Sequence, residues 1–334
     1  MADAHPHASP PAIAVRKAVQ FGFALSALLT GFQFFHFLAT AAAPALPAVP
    51  RPEAVEAWLP ISSLMSLVLL LKTGVASPVH PAGLVLFSLI LVLSACLRRG
   101  FCSWVCPLGT ASELLHGAGR RLFSRNLRMP PVADVALRAV KFAVLAFFAV
   151  VICRMSAEEL LGFIEGPYNR LCDRQMALFF ARASGVTFVV LAALAALSVL
   201  FKNFVCRYLC PYGALLGLAS LLSPAAVRRT ASRCTQCGAC SKACASGIDV
   251  PRRTTVRSPE CTACLECVQA CPHPEALRFG AARGSRVTPL LYAGILCAAF
   301  ILVPQLFRAF GYWTSDTPAS YYRPGGPHAE ASPR

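Results

Sequence analysis

The chain has 334 residues, of which 56% are hydrophobic and only 14% are charged. Its mean hydropathy is +0.59, which is too apolar for an ordinary soluble domain. The formal net charge at pH 7 is +16, but no recognition motif accompanies the basic residues, so nothing argues for binding to nucleic acid.

Five apolar segments predict transmembrane helices, because a bilayer requires about 20 apolar residues per helix. They are Ala18–Ala41, Val79–Leu97, Val132–Cys153, Val186–Phe201 and Val287–Val303. A shorter apolar stretch, Trp58–Leu71, has Pro60 near its start and favours an interfacial or re-entrant helix. The predicted fold is therefore an α-helical integral membrane protein with about five transmembrane helices and one candidate re-entrant helix.

The basic residues predict the orientation. If Trp58–Leu71 does not cross, the Lys and Arg beside the first four spans and in the cysteine-rich segment after them fall on one side. The positive-inside rule makes that side cytoplasmic. The opposite side then holds loops 44–59 and 155–185 and the C-terminal tail. We therefore expect a multi-pass protein of the bacterial inner (cytoplasmic) membrane.

Two histidines lie near the predicted outer side. His36 is close to the end of the first span, and His80 is at the start of the second. They are candidates for holding a haem or hydrogen-bonding a quinone, although the chain has no CxxCH motif for haem attachment. The alternative, which we favour, is a pair of polar residues at a membrane interface or helix start.

A Cys-x3-Cys-Pro motif occurs twice, each time after an apolar span and before an apolar run. An internal duplication is the simplest interpretation, and it places four cysteines at the same membrane face. Residues i and i+4 share one side of a helix, so each motif presents two thiols together. The candidate redox or metal-binding thiols, for a further cluster or a metal, are Cys102, Cys106, Cys206 and Cys210. The alternative is that they pack as small hydrophobes.

Eight further cysteines follow the fourth span. They read Cys234-x2-Cys237-x2-Cys240-x3-Cys244 and Cys261-x2-Cys264-x2-Cys267-x3-Cys271-Pro272. This spacing is typical of a protein with two 4Fe–4S clusters, in which the fourth Cys of each run ligates the other cluster. The predicted ligands of cluster 1 are Cys234, Cys237, Cys240 and Cys271. Those of cluster 2 are Cys261, Cys264, Cys267 and Cys244.

Zinc knuckles and a disulfide framework are the alternatives to this assignment, but a double x2-x2-x3 run is not their pattern. One position departs from the usual motif, since Ala245 follows Cys244 where Pro is usual. It supplies no ligand.

The predicted domains follow the chain. They are an N-terminal cytoplasmic tail (1–15), a transmembrane region with both CxxxCP motifs (16–224), a small α+β bacterial-type 2[4Fe–4S] ferredoxin-like domain (225–283), a C-terminal transmembrane helix (284–310) and a disordered tail (311–334). The ferredoxin-like domain is expected on the cytoplasmic side.

Several segments together resemble one family. The order of the spans, the segments Arg51–Ile61 and His80–Gly83, the paired CxxxCP motifs and the paired ferredoxin motifs are similar to the NapH/NosR membrane polyferredoxins, whose members include MauN and CcoG. The similarity spans roughly residues 16–275. It implies electron transfer between the quinone pool or a cytoplasmic donor and a periplasmic reductase system.

Three functions are compatible with these features. The first is an electron relay, for which a quinol dehydrogenase-type subunit is one form. The second is an assembly or maturation factor that reduces copper or thiols for a periplasmic or membrane oxidoreductase. The third is a redox-sensing membrane anchor. The expected partners are membrane lipid and either the quinone pool or a redox protein such as a cytochrome, a ferredoxin or a reductase.

Overall fold

The structure is a computed structural model that describes residues 10–41, 49–123, 129–273, 275–281 and 285–323. Most of the predicted N-terminal tail and residues 324–334 of the predicted disordered tail lie outside the described residues. The α-helices in the described part are Pro10–Ala41, Pro60–Thr73, Pro81–Leu97, Phe101–Trp104, Pro107–Phe123, Pro131–Arg154, Ala157–Glu165, Pro167–Arg170, Cys172–Ala181, Gly185–Leu200, Pro211–Ala219, Ala239–Ala243, Glu266–Gln269 and Pro289–Ala309.

Shorter elements complete the described chain. The 3-10 turns are Glu53–Trp58, Ser220–Leu222, Ala231–Arg233 and Ala319–Tyr322, and Val205–Leu209 forms a π-helical turn. The strands are β1 (Ala226–Arg229), β2 (Thr255–Val256) and β3 (Leu277–Gly280). The mostly helical class expected from the sequence is confirmed.

Proline determines where several helices begin. Proline has no backbone N–H, and the first N–H groups of a helix have no partner inside it, so proline suits the first helical position. In both CxxxCP motifs the proline directly after the second cysteine is such a start. Helix Pro107–Phe123 follows Cys106, and helix Pro211–Ala219 follows Cys210. The second cysteine of each motif is therefore held at a helix N-terminus.

Among the described residues, three helices are long and apolar enough to cross a membrane, namely Ile13–Ala41, Val132–Arg154 and Pro289–Ala309. They correspond to the first, third and fifth predicted spans. The fourth predicted span forms part of a pair, Cys172–Ala181 and Gly185–Leu200, that is bent by 84° and counts as one further span if the pair crosses together.

The second predicted span forms helix Pro81–Leu97, which has 17 residues. At 1.5 Å per residue it is about 26 Å long, slightly short of a hydrocarbon core of about 30 Å. The predicted short helix is present as Pro60–Thr73, with 14 residues. The described part of the chain thus has three or four candidate spans, and the count of about five stays a prediction.

The chain packs into two compact units, each built from three segments. Unit 1 comprises Met1–Ala24, Ile90–Leu145 and Leu191–Ala299, and unit 2 comprises Leu25–Leu89, Ala146–Val190 and Phe300–Arg334. The predicted domain boundaries follow the chain in sequence and are a separate prediction.

Unit 1 contains a three-stranded antiparallel sheet in the order β2-β1-β3. Val227 of the central strand pairs with Val256 on one side and Phe279 on the other, and all three side chains are buried. One face of this sheet is apolar and buried, and the cysteine loops between the strands pack against it. The short helices Ala239–Ala243 and Glu266–Gln269 follow within those loops.

Unit 2 is held by apolar clusters between its helices. In one of them, Met65 and Leu69 of helix Pro60–Thr73 pack against Leu160 and Ile164. Helix Ala157–Glu165, which carries the last two residues, begins with a reciprocal cap in which Ser156 and Glu159 bond each other's backbone N–H.

Candidate functional site

The four cysteines predicted to ligate cluster 2 line a single cavity in unit 1. Its walls include Cys244, Cys261, Cys264 and Cys267, and with its mouth it holds about 380 Å³ of empty space. Most of its other lining is apolar and includes Val227, Ile248, Val250, Val256 and Leu265. Since a 4Fe–4S cluster is held by four Cys thiolates, this set of donors around one apolar space fits such a group.

Both cysteine loops share an unusual backbone. In the first loop Gln236 and Gly238 have φ of 57° and 74°, and in the second Ala263 and Leu265 have φ of 49° and 61°. These residues occupy the same two positions in each run, on either side of the second cysteine. Left-handed residues in a turn create concave N–H surfaces that bind anions, including iron–sulfur groups. The backbone of both loops is therefore shaped for an anionic cofactor.

The predicted cluster 1 cysteines also lie near one another, but closer to solvent. Cys237 is exposed, Cys234 and Cys271 are half-buried and Cys240 is buried. Burial raises the pKa of the Cys271 thiol, and the neighbouring Cys237 and Cys234 raise it further. Burial likewise raises the pKa of Cys240, with Cys271 and Cys237 among its neighbours.

Among the ferredoxin-type cysteines, burial raises the pKa most strongly for two predicted cluster 2 ligands, Cys264 and Cys267. The pKa of Cys264 rises to about 12, first through burial and then through the adjacent Glu266. The pKa of Cys267 is well above the ordinary range for the same first reason, with Cys264, Cys261 and Cys244 close by. Thiols of this kind are protonated near neutral pH and lose the proton when a metal binds, so loading is coupled to proton release.

The structure brings the four CxxxCP cysteines together. Burial raises the pKa of Cys206 well above the ordinary range, and its next influences are Cys106, Cys102 and Cys210. Burial and then Cys102 raise the pKa of Cys106 to about 12. The Sγ of Cys210 accepts a hydrogen bond from Gly213 N at 3.3 Å. Among the described residues, no three His, Cys, Asp or Glu side chains are arranged to hold a single metal ion.

A glycine follows each motif and packs against its first cysteine. A Cβ on Gly109 would lie 2.1 Å from the carbonyl oxygen of Cys102, and a Cβ on Gly213 would lie 3.4 Å from that of Cys206. In both motifs the glycine three residues after the second cysteine therefore packs on the backbone of the first cysteine. A Cβ would clash severely at Gly109, whereas at Gly213 it would make an ordinary van der Waals contact.

The first CxxxCP motif is docked onto the cluster 2 loop. Ser103 Oγ donates to Thr262 O at 2.7 Å, and Trp104 Nε1 donates to Ala263 O at 3.0 Å. These donors lie between the two cysteines of the motif, and the acceptors lie between Cys261 and Cys264. One cleft in unit 1 is lined by Cys102, Cys206 and Cys264 together.

Paired charges surround this region. Glu266, between two predicted cluster 2 ligands, pairs with Arg16 at 2.7 Å and Lys202 at 3.2 Å. Glu260, directly before Cys261, binds the buried Lys141 at 2.7 Å and lies 3.7 Å from Arg99. Buried charges are tolerated when each has a partner. These two carboxylates were not predicted from the sequence, although charged residues next to cysteines in an apolar chain could have indicated them.

The two candidate histidines lie in different surroundings within unit 2. His36 is exposed, whereas His80 is 1% exposed. His80 Nδ1 lies 3.2 Å from Glu56 Oε1, and Nε2 lies 2.8 Å from Asn169 O. Both ring nitrogens of His80 therefore face protein acceptors and not an open site. A haem or quinone role for these histidines stays an untested prediction.

A buried ion network adjoins His80 and was not foreseen. Arg51 bonds Asp173 through Nη2 at 2.8 Å and Glu56 at 2.9 Å. Tyr322 donates to Asp173 at 2.9 Å. Glu53 also pairs with Arg51, and burial raises the pKa of Glu53 to about 7. The sequence signal was the cluster of charges in segment Arg51–Ile61.

Two family models match the chain. A 4Fe-4S binding domain matches residues 79–130 and 184–229, which include the two CxxxCP motifs. A 4Fe-4S dicluster domain matches residues 226–272, which include the eight ferredoxin-type cysteines. The matches support iron–sulfur binding.

Several proteins are similar over much of the chain. YccM of Escherichia coli (strain K12), described as an electron transport protein, is 37% identical over 281 residues, which cover 82% of this chain and 79% of YccM. The regulatory protein NosR of Pseudomonas aeruginosa is 29% identical over 176 residues, which cover 51% of this chain and 23% of NosR. The ferredoxin-type protein NapH of Escherichia coli is 26% identical over 220 residues, which cover 62% of this chain and 70% of NapH. No solved structure matches the chain.

Proposed function

The chain belongs to the NapH/NosR-type family of 4Fe–4S membrane ferredoxins, which are electron-transfer proteins, and we propose that it relays electrons between the quinone pool or a cytoplasmic donor and a periplasmic reductase system. In this proposal Cys234, Cys237, Cys240 and Cys271 hold cluster 1, and Cys244, Cys261, Cys264 and Cys267 hold cluster 2. Bound 4Fe–4S clusters supply one-electron oxidation and reduction.

The contact between the first CxxxCP motif and the cluster 2 loop is the observation that carries this proposal. The hydrogen bonds of Ser103 and Trp104 hold the backbone between Cys261 and Cys264 against the segment between Cys102 and Cys106. The same cleft is lined by Cys264, Cys102 and Cys206. These contacts support a path in which cluster 2 lies between cluster 1 and the CxxxCP thiols.

Solvent exposure supports the same order. Cys237 is exposed, so a soluble donor can approach cluster 1 closely. Cys261 and Cys267 are buried, and the cavity walls around them are apolar. These walls exclude water and keep outside redox reagents away from cluster 2. An electron from a soluble donor would therefore enter at cluster 1.

The CxxxCP thiols would hold a third redox centre in this proposal, either a further cluster or a metal. Two observations support it, namely the proximity of Cys102, Cys106, Cys206 and Cys210 and the 4Fe-4S binding model that matches both motifs. Buried thiols with raised pKa values are poor free redox groups, because the thiolate is the reactive form. Metal binding would remove their protons.

The proposed location is the bacterial inner membrane, with about five spans and with cluster domain 225–283 in the cytoplasm. The apolar helices support insertion. The basic residues beside the cysteine motifs, including Arg98, Arg99, Lys202 and Arg207, support the orientation under the positive-inside rule. Fusing a reporter that is active on one side of the membrane to residue 323 and, separately, to residue 257 tests this topology.

Iron counting and EPR on the anaerobically purified protein, before and after addition of a quinol analogue, test the function. About eight irons with quinol-reducible signals are expected from two clusters, and about twelve from three. If the EPR signals respond to dithionite but not to quinol, the electron donor would be a cytoplasmic one and not the quinone pool. Zinc in place of iron would contradict electron transfer.

A further inference from the structure

Arg98 is buried in unit 1 in a strained backbone conformation. It follows helix Pro81–Leu97, it is 1% exposed, and its φ is 65°. A bulky residue with positive φ is uncommon, and such strain persists only where the surroundings impose it. Here Arg98 N donates to Ser223 Oγ at 3.1 Å, which holds the backbone in this position. The strain therefore directs the Arg98 side chain to a defined place.

The Arg98 guanidinium donates hydrogen bonds to two backbone carbonyl oxygens. Nη1 donates to Ser220 O at 3.2 Å, and Nη2 donates to Ser258 O. Within the described part of the chain, the buried Nε–H has no hydrogen-bond partner. The side chain also contacts Cys261, which is a predicted ligand of cluster 2. The Arg98 side chain therefore points toward the loop that carries the predicted cluster 2 ligands, and its Nε–H remains available as a donor.

The neighbouring buried cations differ from Arg98 in having carboxylate partners. Arg16 pairs with Glu113 and Glu266, Lys141 pairs with Glu260, and Arg99 lies 3.7 Å from Glu260. Among the described residues, no carboxylate lies within 4.0 Å of the Arg98 nitrogens. A buried charge without a counter-ion is strongly unfavourable, so an anion is expected beside Arg98.

The cluster 2 thiolates supply that anion if the proposed function holds, and the present inference rests on it. Four thiolates give a 4Fe–4S site a net negative charge, and reduction adds one more. A fixed cation beside one sulfur stabilises the more negative, reduced form. We propose that Arg98 is the counter-charge of cluster 2, binding the Cys261 sulfur and raising the reduction potential of cluster 2.

Arg98 is not among the strongest influences on Cys240 and Cys271, two of the predicted cluster 1 ligands. These influences are burial, backbone groups and other cysteines. Arg98 therefore acts on one of the two clusters. It exchanges neither electrons nor protons and makes no covalent bond. It is a positioning residue, and the electron comes from the donor or from a titrating reductant such as dithionite.

The test is an anaerobic EPR redox titration of Arg98→Gln and Arg98→Lys with parallel iron counting. In Arg98→Gln we expect full iron and a more negative midpoint for one cluster, with the other unchanged. Arg98→Lys retains a cation but loses the guanidinium contacts, so its shift is smaller and has the same sign. Arg253→Gln is the matched control, because Arg253 is an exposed arginine of the same cysteine-rich domain. We expect this variant to leave both midpoints unchanged.

Cys237→Ser identifies the signal of cluster 1, so the shifted signal can be assigned. Either Arg98 variant overturns the inference if it retains full iron and both wild-type midpoints, or if the cluster 1 signal shifts instead. If Arg98→Gln does not hold iron, the iron content and midpoints of Arg98→Lys test the inference by the same criterion. A wild-type protein without reducible iron would instead contradict the proposed function, whatever the Arg98 variants show.

Discussion

Trp104 Nε1 donates a hydrogen bond to Ala263 O at 3.0 Å, although the two residues are 159 positions apart in the chain. Trp104 lies inside the first CxxxCP motif and is fully buried, and Ala263 lies between two predicted cluster 2 ligands. This contact joins two cysteine motifs that are far apart in sequence, and it predicts that another apolar side chain cannot fully replace Trp104.

Trp104→Phe should destabilise unit 1. The variant leaves Ala263 O without its donor and opens a cavity, which together cost about 2–4 kcal/mol. Thermal unfolding of the purified protein measures the loss. Trp58→Phe is the control, since Trp58 is 37% exposed, and it should change stability by less than about 1 kcal/mol. Equal effects of the two variants would show that the Trp104 contact is unimportant.

Gly109→Ala should disrupt the first CxxxCP motif, because the new Cβ would lie 2.1 Å from Cys102 O. We expect loss of any metal held by the CxxxCP thiols, with the iron of the two ferredoxin-type clusters retained. Gly117→Ala in the same helix has no atom within 4 Å of its Cβ. It should be neutral or stabilising by up to about 1 kcal/mol. Iron counting and thermal unfolding distinguish the two, and normal iron and stability in Gly109→Ala would contradict the prediction.

Lys141→Met should leave Glu260 buried without its main partner. Lys141 is fully buried and donates to both Glu260 oxygens at 2.7 and 2.9 Å. Removing one member of a buried pair costs about 3–5 kcal/mol. Lys141→Met/Glu260→Gln should recover part of that loss, because the buried carboxylate charge is removed together with its main partner, while Arg99 loses its carboxylate neighbour.

The control for that pair is Arg252→Met. Arg252 pairs with Asp249 at the surface, where the two side chains are 87% and 53% exposed. Surface pairs contribute about 0–1 kcal/mol. Urea unfolding of all variants gives the comparison, and a single variant Lys141→Met as stable as Arg252→Met would contradict the role of the buried pair.

Protein from which iron has been removed should lose stability at high pH. Burial raises the pKa values of Cys106 and Cys264 from 9.0 to about 12. A raised folded-state pKa means that the folded state binds more protons above pH 9, so stability is complete below about pH 9 and falls up to about pH 12. The slope is roughly 1.4 kcal/mol per pH unit for each such thiol.

Urea unfolding between pH 8 and pH 11 measures this slope. Iron-loaded protein is the control, since its ligand thiols are already deprotonated and should add no such slope. A flat profile for the iron-free protein would show that these thiols are solvated and not buried.

Cys244→Ser should alter cluster 2 and leave cluster 1 unchanged, although Cys244 belongs to the first cysteine run. The reason is that Cys244 lines the cavity of Cys261, Cys264 and Cys267. EPR of Cys244→Ser and Cys237→Ser should therefore show changes in two different signals. If both variants alter the same signal, the crossed assignment of ligands is wrong.

Local features of this protein were readable from the sequence. The cysteine spacing, the repeated CxxxCP motif and the long apolar segments each depend on residues a few positions apart. Covalent geometry and helix or strand periodicity relate such neighbours directly. The prolines after Cys106 and Cys210 start helices for an equally local reason, the missing N–H.

Tertiary structure decided which side chains meet. The pairing of Trp104 with Ala263, of Arg98 with the cluster 2 loop and of Lys141 with Glu260 joins residues more than 100 positions apart. The enclosure of both His80 nitrogens and the 84° bend before Gly185 also depend on packing. Spacing along the chain determines which residues can share a ligand, whereas burial and charge pairing over long separations arise only when the helices and loops pack together.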